Sequence, residues 1–130
     1  MVCLETTFLI DLLRGKKEAE HLKKMFDAKE QAQSVAAPTV MEIWSGALLD
    51  NAPLDECTLI NELLGSLRIL PLTEESAKLA AEMEIELIQK GKQVQPVDLM
   101  IAAIARINGE GLVTRDEHFA RIEGLRVFKY

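Results

Sequence analysis

Cysteine is scarce in this chain, and its two cysteines are arranged in no recognisable site. Cys3 and Cys57 are far apart, lie in apolar surroundings and form neither a CxxC pair nor another metal-ligand spacing. The chain therefore carries no disulfide framework and no cysteine-ligated metal site. We expect both thiols to be buried as small hydrophobic side chains, as in proteins of the reducing cytoplasm.

Long apolar runs, targeting segments and repeats are also missing. No apolar run reaches the roughly 18 residues that a membrane-spanning helix needs. The first residues carry no basic segment, and Glu5 and Asp11 interrupt their apolar character, so no signal peptide is expected. No fixed-period repeat or low-complexity segment is present. The sequence therefore predicts a cytoplasmic protein with no membrane partner.

Positive charge is in deficit, with 15 lysines and arginines against 21 aspartates and glutamates and a net charge of −6. A simple basic nucleic-acid binder is therefore disfavoured. An enzyme whose acidic site recruits metal ions stays open, because such ions invert the local field. The length of 130 residues suits one domain with a core of its own, so we expect residues 1–130 to form a single domain.

Short apolar runs alternate with longer helical segments along the chain. Continuous apolar runs of this length are typical of strands in a parallel sheet covered on both faces, and the alternation predicts an α/β fold. The predicted strands are Met1–Leu4, Ser34–Ala37, Arg68–Leu70, Gly111–Val113 and Leu125–Phe128. The predicted helices are Thr7–Arg14 (with Thr6 or Thr7 as the N-cap), Glu18–Glu30, Pro38–Asn51, Pro53–Ser66, Thr73–Lys90 and Pro96–Asn108.

The helix predicted over residues 73–90 has one apolar side, which we expect to be buried. Glu84 falls within that side, where a carboxylate needs a partner. We expect Glu84 to pair with an arginine or to lie at a subunit contact, and a place near the active site is the alternative. The apolar side comprises Ala77, Ala80, Ala81, Ile85 and Ile88.

Four carboxylates occupy related positions on the predicted elements. Glu5 and Asp116 each follow a strand, whereas Glu42 and Asp98 lie in the first turns of helices. The carboxyl ends of parallel strands and the starts of the following helices share one edge of the sheet, where such sheets bind ligands. Each acid alone has an ordinary explanation as a helix cap or turn residue. Their joint placement favours a shared site.

Carboxylates that converge repel one another, and a cation must offset their charge. Mg²⁺ prefers oxygen ligands, commonly one or two carboxylates together with substrate phosphates, and it supports displacement at phosphorus. Thr7 and Thr114 lie beside the acids in sequence and would supply hydroxyl groups. No histidine is required. We expect His21 at the surface and His118 in helix capping or packing, with substrate contact as the alternative for His118.

Four segments resemble motifs of the PIN-domain family. Residues 4–15, LETTFLIDLLRG, resemble the family's opening L-D-T-[NS]-x-L-I-D-x-L-[RK], and the segment TVME ends on the family's second acid. Residues 98–105, DLMIAAIA, match D-x-x-I-A-A-x-A, and residues 112–127, LVTRDEHFARIEGLRV, are similar to the family's closing motif. The resemblance spans the chain, whose size is similar to that of the VapC-like toxin ribonucleases of prokaryotic toxin–antitoxin pairs.

The resemblance implies a three-layer α/β/α sandwich around a mostly parallel sheet. It implies an endoribonuclease that depends on Mg²⁺ or Mn²⁺ and acts on RNA, whether tRNA, rRNA or mRNA. It further implies a homodimer and a cognate antitoxin that holds the enzyme inactive. The catalytic and metal-binding residues carried over are Glu5, Glu42, Asp98 and Asp116, with Thr7 and Thr114 as supporting hydroxyls.

Two positions depart from the family pattern. Glu5 stands where Asp is usual, and Thr7 where Asn or Ser is usual. A longer side chain displaces its carboxylate, and Mg²⁺ demands near-ideal octahedral geometry. A catalytically silent PIN-like domain that only binds RNA or a protein partner is therefore the alternative. In the active reading, Glu5, Asp98 and Asp116 hold the metal, and Glu42 binds a second ion or orients water.

Charge and leucine are both unevenly distributed. Basic residues concentrate near the start of the chain, and none occurs between Glu30 and Arg68. This uneven charge distribution indicates either two solvated faces of opposite sign, or a basic segment that binds RNA and an acidic segment that binds the antitoxin. The leucine-rich helices predicted over residues 38–66 have three possible roles: they belong to the hydrophobic core, they form a groove for an antitoxin helix, or they form a dimer contact. The RNA-binding candidates are Arg14, Lys16, Lys17 and Arg115.

A phospho-acceptor signalling domain is a rival interpretation, because it also places acids and Mg²⁺ at strand ends. Such domains carry an acidic pair, a single acceptor aspartate and a late-strand lysine. Here the first strand ends in the single acid Glu5, and two other acids lie at helix starts. The rival therefore fits the sequence less well.

Overall fold

Five short apolar segments form one parallel sheet in the computed structural model, which describes residues 1–130. Every neighbouring pair of strands is parallel, and the order across the sheet is β3-β2-β1-β4-β5. The strands are Val2–Leu4 (β1), Gln33–Ala36 (β2), Arg68–Leu70 (β3), Gly111–Thr114 (β4) and Val127–Lys129 (β5). The predicted α/β class with a parallel sheet is confirmed.

Six helices provide the connections that parallel strands require. They are Thr6–Leu13 (α1), Lys17–Ala28 (α2), Ala37–Leu48 (α3), Pro53–Leu64 (α4), Glu74–Gln89 (α5) and Pro96–Ile107 (α6). A short 3₁₀ helix spans Glu117–Arg121. The three prolines predicted to open helices lie in the first turns of α3, α4 and α6, where a missing N–H costs no hydrogen bond. No helix is both long and apolar enough to cross a bilayer.

The three central strands of the sheet, β1, β2 and β4, are covered on both faces, whereas the edge strands β3 and β5 are largely exposed. In the central strand, Cys3 belongs to the core shared with α5 and α6, whereas Val2 and Leu4 belong to the core shared with α1, α2, α3 and α4. Alternate side chains of one strand point to opposite faces, so two cores are built from continuous apolar runs. The three-layer α/β/α sandwich is confirmed.

The cysteines differ from each other in burial. Cys3 is fully buried in the central strand, and burial raises the pKa of its thiol to about 12. Cys57 on α4 is only partly buried, so the prediction of two buried thiols is correct for Cys3 alone. Ile60 is the only buried residue of α4, and the rest of this helix, Cys57 included, is at least partly exposed.

Helix α5 buries a different side from the one predicted. Its buried residues include Ser76, Met83 and Leu87, whereas Ile85 and Ile88 are 52% and 60% exposed. Ser76 completes a reciprocal capping pair with Thr73, which turns this side of the first turn inward. Of the predicted apolar side only Ala80 is buried, so that prediction is correct for Ala80 and wrong for Ala77, Ala81, Ile85 and Ile88. The reason is that apolar residues extend over more than half of the circumference of this helix.

Glu84 also departs from expectation. It is half-buried on α5 and forms no ion pair, so the predicted pairing with an arginine is wrong, and a position at a subunit contact stays a prediction. Its side chain lines a cavity of about 140 Å³ together with Ile88 and Lys92. This cavity is formed by residues of α5, α6 and their connection.

A buried polar cluster joins the amino ends of the strands. Glu110 accepts hydrogen bonds from the Ser34 hydroxyl and from the Arg68 guanidinium. The Glu110 side chain is 0% exposed, whereas the Arg68 side chain is 54% exposed. The Ser34 hydroxyl also lies 3.3 Å from the carbonyl oxygen of Val2. The cluster links β2, β3 and the start of β4 at the edge opposite the four acids.

Candidate active site

Glu5 stands at the junction between the central strand and α1. Its backbone N–H donates to the carbonyl of Val113 at 3.0 Å, which ties it to the end of β4. Its carboxylate caps α1, because Oε1 accepts from the backbone N–H of Thr7 at 3.1 Å and from the Thr7 hydroxyl at 2.6 Å. The N-cap is thus Glu5 rather than Thr6 or Thr7. Capping holds the carboxylate at the carboxyl edge of the sheet.

Both threonines predicted to support the site contact Glu5. The Thr114 hydroxyl donates to the same Glu5 oxygen and lies 3.2 Å from the Thr7 hydroxyl. Glu5 is 2% exposed, and burial raises the pKa of its carboxyl while the hydrogen bonds from Thr114 and Thr7 oppose that rise. Thr114 also accepts from the backbone N–H of Asp116 at 3.0 Å. The two hydroxyls therefore fix Glu5 and orient the start of the next segment.

Glu42 reaches the same region from α3. Its Oε1 accepts a hydrogen bond from the Thr6 hydroxyl at 2.6 Å, and that hydroxyl lies 3.2 Å from the buried Thr39 hydroxyl. The sequence pattern indicates Thr6 only as a helix cap and does not reveal it as the partner of Glu42. Its place directly after the first acid, in the first turn of α1, is the signal that could have found it.

Asp116 caps the short 3₁₀ helix after β4. Its Oδ1 accepts from the backbone N–H of His118 at 2.9 Å and lies 2.7 Å from Nδ1 of the same residue. His118 therefore takes part in capping, as predicted, and its ring orients Asp116. His21 is exposed on α2, also as predicted.

Asp98 lies in the first turn of the buried helix α6 and experiences the field of the other three acids. Burial and the charges of Glu42, Glu5 and Asp116, in that order, raise the pKa of its carboxyl to about 6. His118 electrostatically opposes this rise in pKa, and no hydrogen bond to Asp98 does. The structure thus brings all four predicted acids into one electrostatic neighbourhood, and Asp98 is its least stabilised member.

The acid cluster has the chemistry of a divalent-cation site. Its donors are carboxylate oxygens, which Mg²⁺ and Mn²⁺ prefer. Carboxylates that repel one another are stabilised when a cation binds between them. No three acidic, histidine or cysteine side chains converge at metal-binding distance, since Glu5, Glu42 and Asp116 are turned onto hydroxyl or imidazole partners. The residues fit a hard cation by type and charge, and binding requires their side chains to turn.

A basic cavity of about 410 Å³ lies next to this cluster. All four RNA-binding candidates line it. Two further lining residues are Asp11, whose carboxylate accepts from Arg115, and Tyr130, whose hydroxyl donates to Asp11. Asp11 matches the second aspartate of the family's opening motif, but nothing in the sequence indicates its contact with Arg115, and Tyr130 lies outside the four motifs. Residue 130 and residue 11 are far apart along the chain and share no motif. The candidates are Arg14, Lys16, Lys17 and Arg115.

The leucine-rich helices α3 and α4 are only partly core. Ile43 and Ile60 are buried, whereas Leu49 and Leu54 are 88% and 85% exposed. A groove of about 190 Å³ runs between α1, α3 and α4, and Glu42 lies on its wall. Some apolar side chains of these helices therefore belong to the core, and the others lie at the surface.

Comparison with known proteins places this geometry in a family. Residues 2–125 match the model of the PIN domain. The tRNA(fMet)-specific endonuclease VapC of Salmonella typhimurium is 29% identical over 113 residues, which cover 86% of each chain.

Solved structures of other proteins match this fold along almost the whole chain. The DNA-bound VapBC from Salmonella typhimurium contains a chain that matches with a TM-score of 0.89 and 28% identity, covering 99% of this chain and 98% of that one. VapBC2 from Rickettsia felis, bound to a promoter DNA fragment, matches in fold with a TM-score of 0.91 at 21% identity, covering 100% and 99%. The match to the PIN domain explains the acidic residues at this edge of the sheet, so the alternative interpretation as a phospho-acceptor signalling domain is not needed. The chain therefore belongs to the PIN domain family.

Proposed function

We propose that this PIN-domain protein is a divalent-metal-dependent endoribonuclease of the VapC type, acting in the cytoplasm as the toxin of a toxin–antitoxin pair. The observation that carries the proposal is the placement of Glu5, Glu42, Asp98 and Asp116 at the strand ends and helix starts of one sheet edge, where the threonine hydroxyls hold Glu5 and Glu42. The similarity to an endonuclease named VapC supports an RNA substrate, and the VapBC complexes support an antitoxin partner. A homodimer remains part of the proposal.

The chain's own residues would prepare the site for phosphodiester hydrolysis. The hydroxyls of Thr7 and Thr114 hold the Glu5 carboxylate, and the Thr6 hydroxyl holds Glu42. These hydrogen bonds keep the two carboxylates at the carboxyl edge of the sheet, and each side chain would turn from its hydroxyl partner when a cation binds. Asp98, which has no protein partner, is free to serve as a ligand.

Mg²⁺ or Mn²⁺ is the proposed cofactor. Glu5, Asp98 and Asp116 would hold it, and Glu42 would bind a second ion or orient water. When bound, such an ion supplies positive charge that polarises the phosphodiester and activates water for in-line attack. The test of the function is metal-dependent cleavage of RNA that is lost in Asp98→Asn.

Metal binding should stabilise the protein in a pH-dependent way. The pKa of Asp98 is raised from 3.8 to about 6, so the folded metal-free protein binds this proton more tightly than the unfolded chain. The protonated Asp98 carboxyl therefore contributes to the free energy of unfolding below about pH 4, and this contribution is lost as the pH rises through about 6. We therefore expect Mn²⁺ to raise the melting temperature strongly at pH 7.5 and weakly at pH 5, measured by differential scanning fluorimetry. An equal shift at both pH values would contradict the assignment of Asp98.

Glu5→Asp tests whether the longer side chain limits catalysis. Aspartate is itself a favourable N-cap and can still accept from the backbone N–H of Thr7. We expect Glu5→Asp to cleave RNA at least as fast as the wild type. Loss of more than about tenfold would show that the hydroxyls of Thr7 and Thr114 have adapted the site to glutamate. Glu5→Gln, which keeps the length and removes the charge, is the matched control and should be inactive.

A further inference from the structure

Arg115 is held in one orientation by two residues from distant parts of the chain. Its Nε donates to Oδ2 of Asp11 at 2.7 Å, and its Nη2 lies 3.3 Å from Oδ1. The hydroxyl of Tyr130 donates to the same Asp11 carboxylate at 2.8 Å. The Tyr130 ring packs edge-on against Phe8, with ring centroids 5.2 Å apart. A buried carboxylate, 6% exposed, is thus bonded to both an arginine and a tyrosine.

Arg115 connects this arrangement directly to the acid cluster. It lies between Thr114 and Asp116, and its backbone N–H donates to the Thr7 hydroxyl, which also contacts Glu5. Its side chain is 50% exposed, and Nη1 makes no hydrogen bond within the protein. One edge of the guanidinium is therefore occupied by Asp11, and the other is available to a ligand.

The surroundings of Arg115 are positively charged in an otherwise acidic protein. Four cationic side chains line the cavity against two carboxylates, those of Asp11 and Glu18. Gly15, with a φ of +71°, makes the turn after α1 that places basic residues on both sides of it. The nearby Lys23, by contrast, is paired with Asp27 on the same helix. The cavity keeps a positive charge that the fold does not neutralise.

This inference rests on the proposed function and names how the substrate is held. We propose that the cavity binds the phosphodiester backbone of the RNA strand beside the bond that is cut. Arg115 contacts the phosphate, and Asp11 and Tyr130 are positioning residues that hold its guanidinium. An arginine that is already fixed loses less conformational entropy on binding a phosphate than a free lysine does. Arg14, Lys16 and Lys17 add charge that attracts the strand to the cavity.

Steady-state cleavage of labelled tRNA by the metal-loaded protein tests the proposal. Arg115→Gln should raise KM about tenfold and leave kcat within about threefold, because it removes an interaction made equally in the ground and transition states. Tyr130→Phe keeps the ring against Phe8 and removes only the hydroxyl, so we expect a smaller rise in KM. Lys78→Gln is the charge-matched control. Lys78 is an exposed lysine on α5 that does not line the cavity, so this variant should change neither KM nor kcat.

Salt dependence supplies a readout that a purely structural role would not move. Lys16→Gln and Lys17→Gln, both at exposed positions, should each reduce the slope of log K against log salt by about one, because each removes a cation that neutralises a phosphate. These variants keep the buried Asp11 paired, so folding does not confound them. Unchanged KM and salt slope in these variants and in folded Arg115→Gln would overturn the proposal.

Failure of the proposal for the cavity can be distinguished from failure of the proposed ribonuclease function. RNA binding is also measured in the Asp98→Asn background, where no cleavage occurs. If the wild type does not cut RNA but binding is weakened by Arg115→Gln, the cavity proposal holds and the ribonuclease proposal fails. If the wild type cuts RNA and the cavity variants weaken only the binding of an acidic protein partner, the cavity proposal is overturned.

Discussion

Asp98→Asn should abolish RNA cleavage and at the same time make the metal-free protein more stable. We expect cleavage to fall by about 100-fold or more, because a carboxylate needed for charge stabilisation becomes a neutral amide. Stability should rise because Asp98 is half-buried, has no protein partner and is repelled by Glu42, Glu5 and Asp116. After allowance for solvent screening, the gain at pH 7.5 is about 1 kcal/mol, or a few degrees in melting temperature.

Asp55→Asn is the matched control for this prediction. Asp55 lies in the first turn of α4, as Asp98 lies in the first turn of α6, but it is exposed and its helix carries none of the four site acids. Removing its charge loses a favourable helix-dipole interaction of about 0.3–1 kcal/mol and should leave cleavage unchanged. Opposite signs for the two stability changes are therefore expected in urea denaturation. A destabilised Asp98→Asn would show that the carboxylate has a structural partner in the folded protein.

Arg68→Met should produce a large loss of stability for a half-exposed position, about 3 kcal/mol or roughly 10 °C. The reason is the burial of its partner. The Glu110 carboxylate is fully buried and would keep only the Ser34 hydroxyl as a donor. An uncompensated buried charge is costly, whereas the loss of an exposed ion pair is not. Lys78→Met, which breaks an exposed pair with Glu74, should cost no more than about 0.5 kcal/mol.

A second substitution separates the buried charge from other causes. Adding Glu110→Met to Arg68→Met removes the stranded carboxylate and should restore at least half of the lost stability. Ser34 keeps a second partner, the carbonyl of Val2. Because this cluster lies at the edge opposite the acids, cleavage per folded molecule should be unchanged in both variants. A loss below about 1 kcal/mol in Arg68→Met, or no recovery in the double variant, would contradict this account.

The architecture was predictable because the strands and helices leave strong local patterns. The runs that became β1 and β4 are apolar without alternation, which indicates burial on both faces. The prolines at residues 38, 53 and 96 marked helix starts correctly, and the glycine at residue 15 marked an end. The placement of the four acids at one edge followed from the parallel topology, because the carboxyl ends of the strands and the starts of the following helices share that edge.

Other features depended on side-chain geometry that no local pattern encodes. Glu5 rather than a threonine caps α1, because its carboxylate can fold back onto Thr7. The inward side of α5 was ambiguous because apolar residues surround the helix. The pairing of Asp11 with Tyr130 joins residues 119 positions apart, and only the tertiary fold brings them together.

The most direct test of the central claim is cleavage of labelled total tRNA and rRNA by the purified, partner-free protein. The reaction is run with Mg²⁺, with Mn²⁺ and with EDTA, beside Asp98→Asn. We expect discrete fragments with a divalent ion, none with EDTA and none with the variant. The absence of fragments with either ion, in protein shown to be folded, would contradict the ribonuclease assignment.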